Sequence, residues 1–372
     1  MLLPPLVHLV PLCLVAVAIG VVSRPDPLIR LTGGPEATPP DSSEDQDAAS
    51  AAAARMQEAA RVATSEPNQA LGLLDEAIEK LADAPGSEDQ PGRELVIDAL
   101  ERKGNLLQQL GRFEEALNVW TRLLELGPDA GSASPYVIAR ALLGRAYAVG
   151  RLGSGDEELE TLHRIERDFA DDPSERVRRI VDTALYKEAA AFYRTERPIE
   201  AIDSYDRLIG RLEADPTQAS EELLSEALVN KAITAEAIGN LDMALEADAT
   251  VVARFGDSDN SAIRLQVAIA LIGRGNALTL RGDLGGAIEA YEEIERRFAT
   301  SGPPAEVALA LVEKAALLAK TSREPDAVRV CAQVAKRYGK SSDPELRRYV
   351  EQAQAIERAC LEGDPPDRAP SE

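Results

Sequence analysis

Aromatic side chains are scarce in this sequence. They make up 4% of the 372 residues, with one Trp and five Phe. A core with so few rings must be built from Ala, Leu, Ile and Val. β-branched and aromatic strand formers are sparse beside Ala and Leu, the best helix formers, so the composition argues for an all-α chain. Cysteine is nearly absent. Cys13, Cys331 and Cys360 are odd in number and widely spaced, with no CxxC, which excludes a disulfide framework or a zinc site. The two histidines, His8 and His163, have no carboxylate or cysteine cluster around them in the sequence and read as incidental. Positive charge is also short. The formal net charge is −23, which excludes nucleic acid as a main partner because phosphate binding needs clustered Lys and Arg. The same charge permits a basic peptide as partner.

No catalytic or cofactor motif is present. There is no GxSxG and no phosphate loop ending in Gly-Lys-Ser/Thr. Gly282 to Gly286 reads as a helix turn. Acidic pairs such as Glu114-Glu115 and Glu292-Glu293 read as solvated helix faces. The expectation is a protein without enzymatic activity, cofactor or metal.

Long apolar runs are missing except at the N-terminus, where Leu2 to Val22 carry no charged side chain. Twenty-one such residues just suffice to span a bilayer. Pro4, Pro5, Pro11 and His8 interrupt the first half. Three readings are open: a membrane anchor, favoured here; a cleaved export signal, with Ala16-Val17-Ala18 as cleavage site but no basic residue before the apolar run; and a merely apolar leader. Leu12 before Cys13 is too bulky for a lipid-attachment motif. Arg24 and Arg30 follow the segment and no basic residue precedes it, which places the body in the cytoplasm if the segment spans. The alternative is export. Residues 23–47 and 363–372, rich in Pro, Gly and acids, read as a flexible linker and tail.

What the sequence does have is repetition. The block Ala99-Leu100, Gly104, Gly111, Ala116-Leu117 recurs at Ala184-Leu185, Ala227-Leu228, Ala270-Leu271 and Ala310-Leu311, in steps of 85, 43, 43 and 40 residues. A weaker copy starts at Ala141-Leu142, and an N-terminal one lies around Ala70-Leu71 after a helical run from Ala48. Each block reads as two helices. The first carries an apolar stripe at helical spacing and stops at a glycine, as at Gly111 and Gly239, where a left-handed residue ends a helix. Ser134-Pro135, Asp172-Pro173, Asp215-Pro216 and Asp343-Pro344 read as helix starts, with a capping side chain before proline.

A small residue in the first helix is followed by another twelve positions on: Gly104/Ala116, Ala189/Ala201, Ala232/Ala244, Gly275/Ala287 and Ala315/Ala327. This spacing resembles the tetratricopeptide repeat, whose helices cross closely at two small residues. Trp120, Tyr205 and Tyr291 stand where that family favours an aromatic, and Pro128 where it ends a repeat. Asp248 and Cys331 depart from the aromatic position. Glu158 replaces a small residue in the weak copy, so looser packing is expected there. The period of 40–43 residues exceeds the family's usual 34.

The resemblance implies a right-handed superhelical α-solenoid of about seven helix pairs over residues 48–342, with a polar capping helix over 343–362. It implies binding of other proteins or peptides, as a scaffold or adaptor, and the N-terminal segment, read as an anchor, would tether it near a membrane. The alternative is a regulatory sensor taking a peptide or small ligand in its groove. Mapped onto the repeat, Asn105, Tyr147, Tyr186, Lys187, Asn230 and Asn276, with Tyr193 and Arg194 a turn later, are the candidate groove residues. The family's paired Lys and Asn carboxylate clamp is not reproduced.

Overall fold

The computed structural model describes residues 43–82, 90–126, 134–214, 218–298 and 302–362. The N-terminal apolar segment, most of the linker, Pro128, Asp215-Pro216 and the tail lie outside them. The described residues form fifteen helices and no strand: α1 Ser43–Val62, α2 Pro67–Ala82, α3 Gln90–Gln109, α4 Phe113–Leu126, α5 Pro135–Arg151, α6 Gly155–Phe169, α7 Glu175–Arg194, α8 Pro198–Ala214, α9 Gln218–Ala237, α10 Leu241–Phe255, α11 Ser261–Arg281, α12 Leu284–Arg297, α13 Pro304–Lys320, α14 Glu324–Tyr338 and α15 Pro344–Glu362. None of them is long and apolar enough to cross a membrane. The first helix begins at Ser43, a few residues before the run from Ala48 that the sequence marks.

The chain forms two compact units. In residues 25–197, α1 to α7 pack each on the next, and the first helices α1, α3, α5 and α7 also touch one another in order. In residues 198–372, α8 to α15 do the same, with α9, α11, α13 and α15 as the touching series. This is the packing of a repeat array, in which no helix pair covers its own apolar face and each neighbour supplies the cover. The capping helix α15 buries Leu346, Tyr349, Val350, Ala353 and Ile356.

The small residues sit where the repeat requires them. Ala116, Ala189, Ala201, Ala287, Ala315 and Ala327 are fully buried. Seven positions after each first-helix small residue the backbone turns left-handed: Gly111, Gly153, Glu196, Gly239, Gly282 and Ser322 all have positive φ. Gly282 shows the purpose. Its φ of 87° lets its own amide and that of Asp283 fold back onto the Thr279 and Leu278 carbonyls, which closes the end of α11. At Glu196 and Ser322 a side chain accepts the same conformation.

Two expectations need correction. Helix α7 is not capped by Asp172: it starts at Glu175 behind Ser174, whose amide donates to Asp172 Oδ1 at 2.8 Å. Asp343 does cap α15, accepting from the Glu345 amide at 2.8 Å. The weak copy is not loose either. Glu158 is buried, as are Leu159, Leu162 and Ile165 beside it, because glycine at position 150 gives the carboxylate room.

Candidate functional site

The residue four places after each second-helix small residue lies in a slot. Within a unit, one wall is the first helix of its own pair, and the other is the first helix of the next. Trp120, fully buried, shows both walls: a Cβ at Gly104 would stand 2.6 Å from its ring and one at Gly144 2.4 Å. Glycine at both sites is what admits an indole. Arg140 lies over the ring at 5.5 Å and donates to Asn105 Oδ1 at 2.6 Å. Tyr291 fills the equivalent slot against Gly275, where a Cβ would stand 2.5 Å from its ring, and its hydroxyl donates to Asn276 Oδ1 at 2.7 Å.

A second regularity runs along the repeats. The residue just before the first-helix small residue pairs with the residue five places after the small residue of the preceding second helix. Lys103 pairs with Asp75, Lys231 with Asp206 at 2.5 Å, and Lys314 with Glu292 at 3.3 Å. His163 and Glu188 form the same rung with the roles exchanged, Nε2 to Oε1 at 2.5 Å. His163 is thus part of the ladder and not incidental.

The rung fails at two places. Thr121 offers no charge to Arg145, which turns instead to Glu157 and Thr161 of its own pair. Ala249 offers none to Arg274, and the acid stands one position earlier, at Asp248. That shift turns the carboxylate inward, into the slot an aromatic fills elsewhere. Asp248 is 2% exposed. Its Oδ2 would lie 2.7 Å from a Cβ at Gly273, the glycine equivalent to Gly144. Among the described residues Asp248 accepts no hydrogen bond and makes no ion pair.

Two more acids act on these slots: the field of Glu236 on α9 reaches both Asp248 and Tyr291, and that of Glu313 on α13 reaches Tyr291; both acids are partly exposed. Burial pushes each carboxyl up to about 7. Burial raises Asp248 well above the usual carboxylate range, the field of Glu236 raises it further, and Arg274 opposes both. The Tyr291 hydroxyl is raised by burial and by the fields of Glu313 and Glu236. Desolvation is the leading cause throughout, because a charged group deprived of water favours its neutral form.

The candidate groove residues divide between the units. In residues 25–197, Tyr147 and Lys187 come together: the ammonium lies 5.2 Å above the ring, and Phe113 meets its edge at 6.0 Å. Asn105 is held by Arg140, and Arg194 is exposed and ion-paired with Glu158. Tyr186 and Tyr193 are half-buried. In residues 198–372, Asn230 and Asn276 are buried at 4% and 3% exposure; Asn276 serves the Tyr291 hydroxyl. The residues that the mapping passed over are Glu236, Asp248, Arg274 and Glu313. One signal pointed to them, the acid standing at an aromatic position.

No protein-family model and no curated protein matches the chain. Solved structures do. The apo form of RapI is 12% identical, covers 84% of this chain and 85% of its own, and superimposes with a TM-score of 0.58. The apo form of the quorum sensor NprR from B. thuringiensis is 11% identical over 82% of this chain and 81% of that one, with a TM-score of 0.49. A tetratricopeptide repeat protein from Parabacteroides merdae is 15% identical over 82% of this chain and 99% of that one, with a TM-score of 0.47. At such identities the likeness speaks for fold alone. Small-residue spacing, left-handed turns at a fixed offset and first-helix packing say the same: the chain has a tetratricopeptide-like helical-repeat fold.

Proposed function

We propose that this chain is an interaction protein, a scaffold or adaptor, which holds a protein or peptide segment against its first helices and carries out no catalysis. One observation carries the reading. Charged side chains pair across four junctions between successive repeats, and Arg145 finds its acid within its own pair, whereas at the junction of Ala249 and Arg274 the acid, Asp248, is turned inward and among the described residues pairs with nothing. A fold that pairs its charges elsewhere and leaves an acid unpaired here is suited to receive something. The partner is basic, in keeping with the net charge of −23. The charge-free segment Leu2 to Val22 tethers the body to a membrane, with the body in the cytoplasm.

Selection from a library of random peptides on the immobilised full-length protein tests the binding role. Enrichment of short sequences that then bind the soluble protein with a micromolar Kd is expected. Failure to enrich anything beyond what a heat-unfolded sample retains counts against it. Flotation with anionic vesicles, comparing the full chain with residues 48–372, tests the tether.

A further inference from the structure

Within residues 25–197, charge is divided between first and second helices. The second helix α6 carries six acids against two arginines. The first helix α5 carries Arg140, Arg145 and Arg151 and no acid, and α7 carries five basic residues against three acidic ones. A chain of net charge −23 thus presents basic first helices here. We propose that the adjoining faces of α5 and α7 bind an acidic stretch of a partner peptide, through cations held over aromatic rings. This rests on the interaction role proposed above and names the chemistry of one contact.

Register carries the inference. Arg176 Cζ lies 3.7 Å from the centroid of the Tyr136 ring, and Lys187 Nζ lies 5.2 Å from that of Tyr147. The two tyrosines are eleven residues apart on α5, and so are the two cations on α7. Eleven residues make about three turns, so each pair faces one way. The same face of α5 continues one turn beyond Tyr147 to Arg151. Its guanidinium lies 5.1 Å from the Phe113 ring, which in turn meets the edge of Tyr147. Three cations and three rings therefore form one strip. Arg145 lies on the other side of α5, bonded to Glu157 and Thr161.

The strip is open to a ligand. Arg151 and Arg176 are exposed, and the three rings are half-buried. Among the described residues neither arginine makes an ion pair or a hydrogen bond. A guanidinium held over a ring is bound through its face and keeps its N–H edge for a carboxylate. The ring also restrains it, so less rotamer freedom is lost on binding. Along α7, Arg176 and Lys187 are about 16 Å apart. An extended peptide advances about 3.3 Å per residue, so acids about five positions apart reach both.

The sign of this face is compatible with a basic partner. The overall charge acts at long range, whereas contacts within a Debye length of about 8–10 Å answer to local charge. One partner of mixed charge satisfies both. A nucleic acid carries a charge on every phosphate, and the rest of the chain repels it.

The test uses the full-length protein and a fluorescein-labelled peptide, Glu-Gly-Ser-Gly-Ser-Glu-Gly-Glu. Counterparts carry Gln or Lys in place of every Glu, and a labelled single-stranded DNA is the last probe. Fluorescence anisotropy at low salt reads binding. The glutamate peptide should bind saturably and more tightly than the other three probes. Arg151→Gln and Arg176→Gln, both at exposed positions, should each weaken it about tenfold, the loss of one charge-assisted contact. Arg296→Gln, an equal charge change at an exposed position on α12, should leave it unchanged. Circular dichroism checks that all three variants keep the parent's helix content. Absence of saturable binding overturns the proposal. So does tighter binding of the lysine peptide or the DNA, or equal weakening by all three variants. The two readings fail separately. Peptides selected from a random library that lack acids and ignore Arg151→Gln and Arg176→Gln sink the acidic contact and leave the interaction role. Glutamate-peptide binding that responds to both variants, beside a library that yields nothing, does the reverse.

Discussion

The Glu158 carboxylate occupies the space that a side chain at Gly150 would need: a Cβ there would lie 2.3 Å from Glu158 Cδ. A long acid at a position reserved for small residues is thus matched by the loss of a side chain on the facing helix. Arg194 supplies the counter-charge. Burial nonetheless raises the Glu158 carboxyl, outweighing Arg194.

This pairing predicts a reciprocal effect. Gly150→Ala should destabilise the chain by about 1–3 kcal/mol through overpacking. Combining it with Glu158→Ala should recover much of the loss, because the two groups compete for one volume. Urea unfolding of both single variants and the double variant measures the coupling. Strict additivity would show that the two sites do not share space.

Trp120 offers a direct optical report. It is the chain's only tryptophan, and its slot tolerates no methyl at Gly144. Gly144→Ala should therefore lower stability by about 1–3 kcal/mol and change the near-ultraviolet circular dichroism of the indole. An unaltered spectrum and midpoint would mean that the slot is wider than described.

The left-handed turns predict opposite signs at equivalent positions. Gly282→Ala forces a side chain into φ near 87° and should cost about 1–2 kcal/mol. Glu196→Gly and Ser322→Gly relieve the same strain at φ of 59° and 58°. Each should gain about 0.5–1 kcal/mol, since part of the relief is offset by the freer unfolded chain. Thermal midpoints would decide, and a loss at either site would contradict the strain argument.

Stability should rise on acidification because of three acids, Asp248, Glu236 and Glu313. Asp248, Glu236 and Glu313 have folded-state pKa values above the unfolded values, so the folded chain binds more protons. Unfolding free energy then falls as pH climbs from about 4.3, the ordinary glutamate value, towards about 7. Their contribution is least unfavourable at the acid end of that window. Glu236→Gln should flatten the difference in urea midpoint between pH 7.5 and pH 5.5. An unchanged difference would show that Glu236 remains solvated.

At the helix crossing, Ala287 is fully buried. Ala287→Glu places an unpaired carboxylate there and should unfold the second unit locally, at a cost of several kcal/mol. Hydrogen exchange across α11 to α13 would detect it. A variant protected like the parent would argue against the alignment of the repeats.

Much of this fold is written locally. Twelve-residue spacing of small side chains, glycine stops and an Ala- and Leu-rich stripe each act within one or two helices, and periodicity exposes them. Hence the helix pairs, the turns at Gly111 and Gly239 and the buried Ala287 were legible in the sequence. What escaped was set by contacts between helices far apart in the chain. Asn276 falls on a first helix as the repeat demands, but Tyr291, brought over it by the pair's crossing, takes its carbonyl oxygen and buries it. His163 looks isolated because its partner Glu188 belongs to the next pair. Glu158 looks misplaced until Gly150 is seen opposite. Asp248 looks like a lapse in an aromatic pattern, and only packing against Gly273 shows a carboxylate turned into the slot. The sequence by itself determined that the chain is helical, repeated and strongly acidic, because helix propensity, period and charge are properties of residues and their near neighbours. Tertiary structure alone decided which charges are paired and which are left buried without a partner, because desolvation and pairing depend on what the next repeat lays against each side chain.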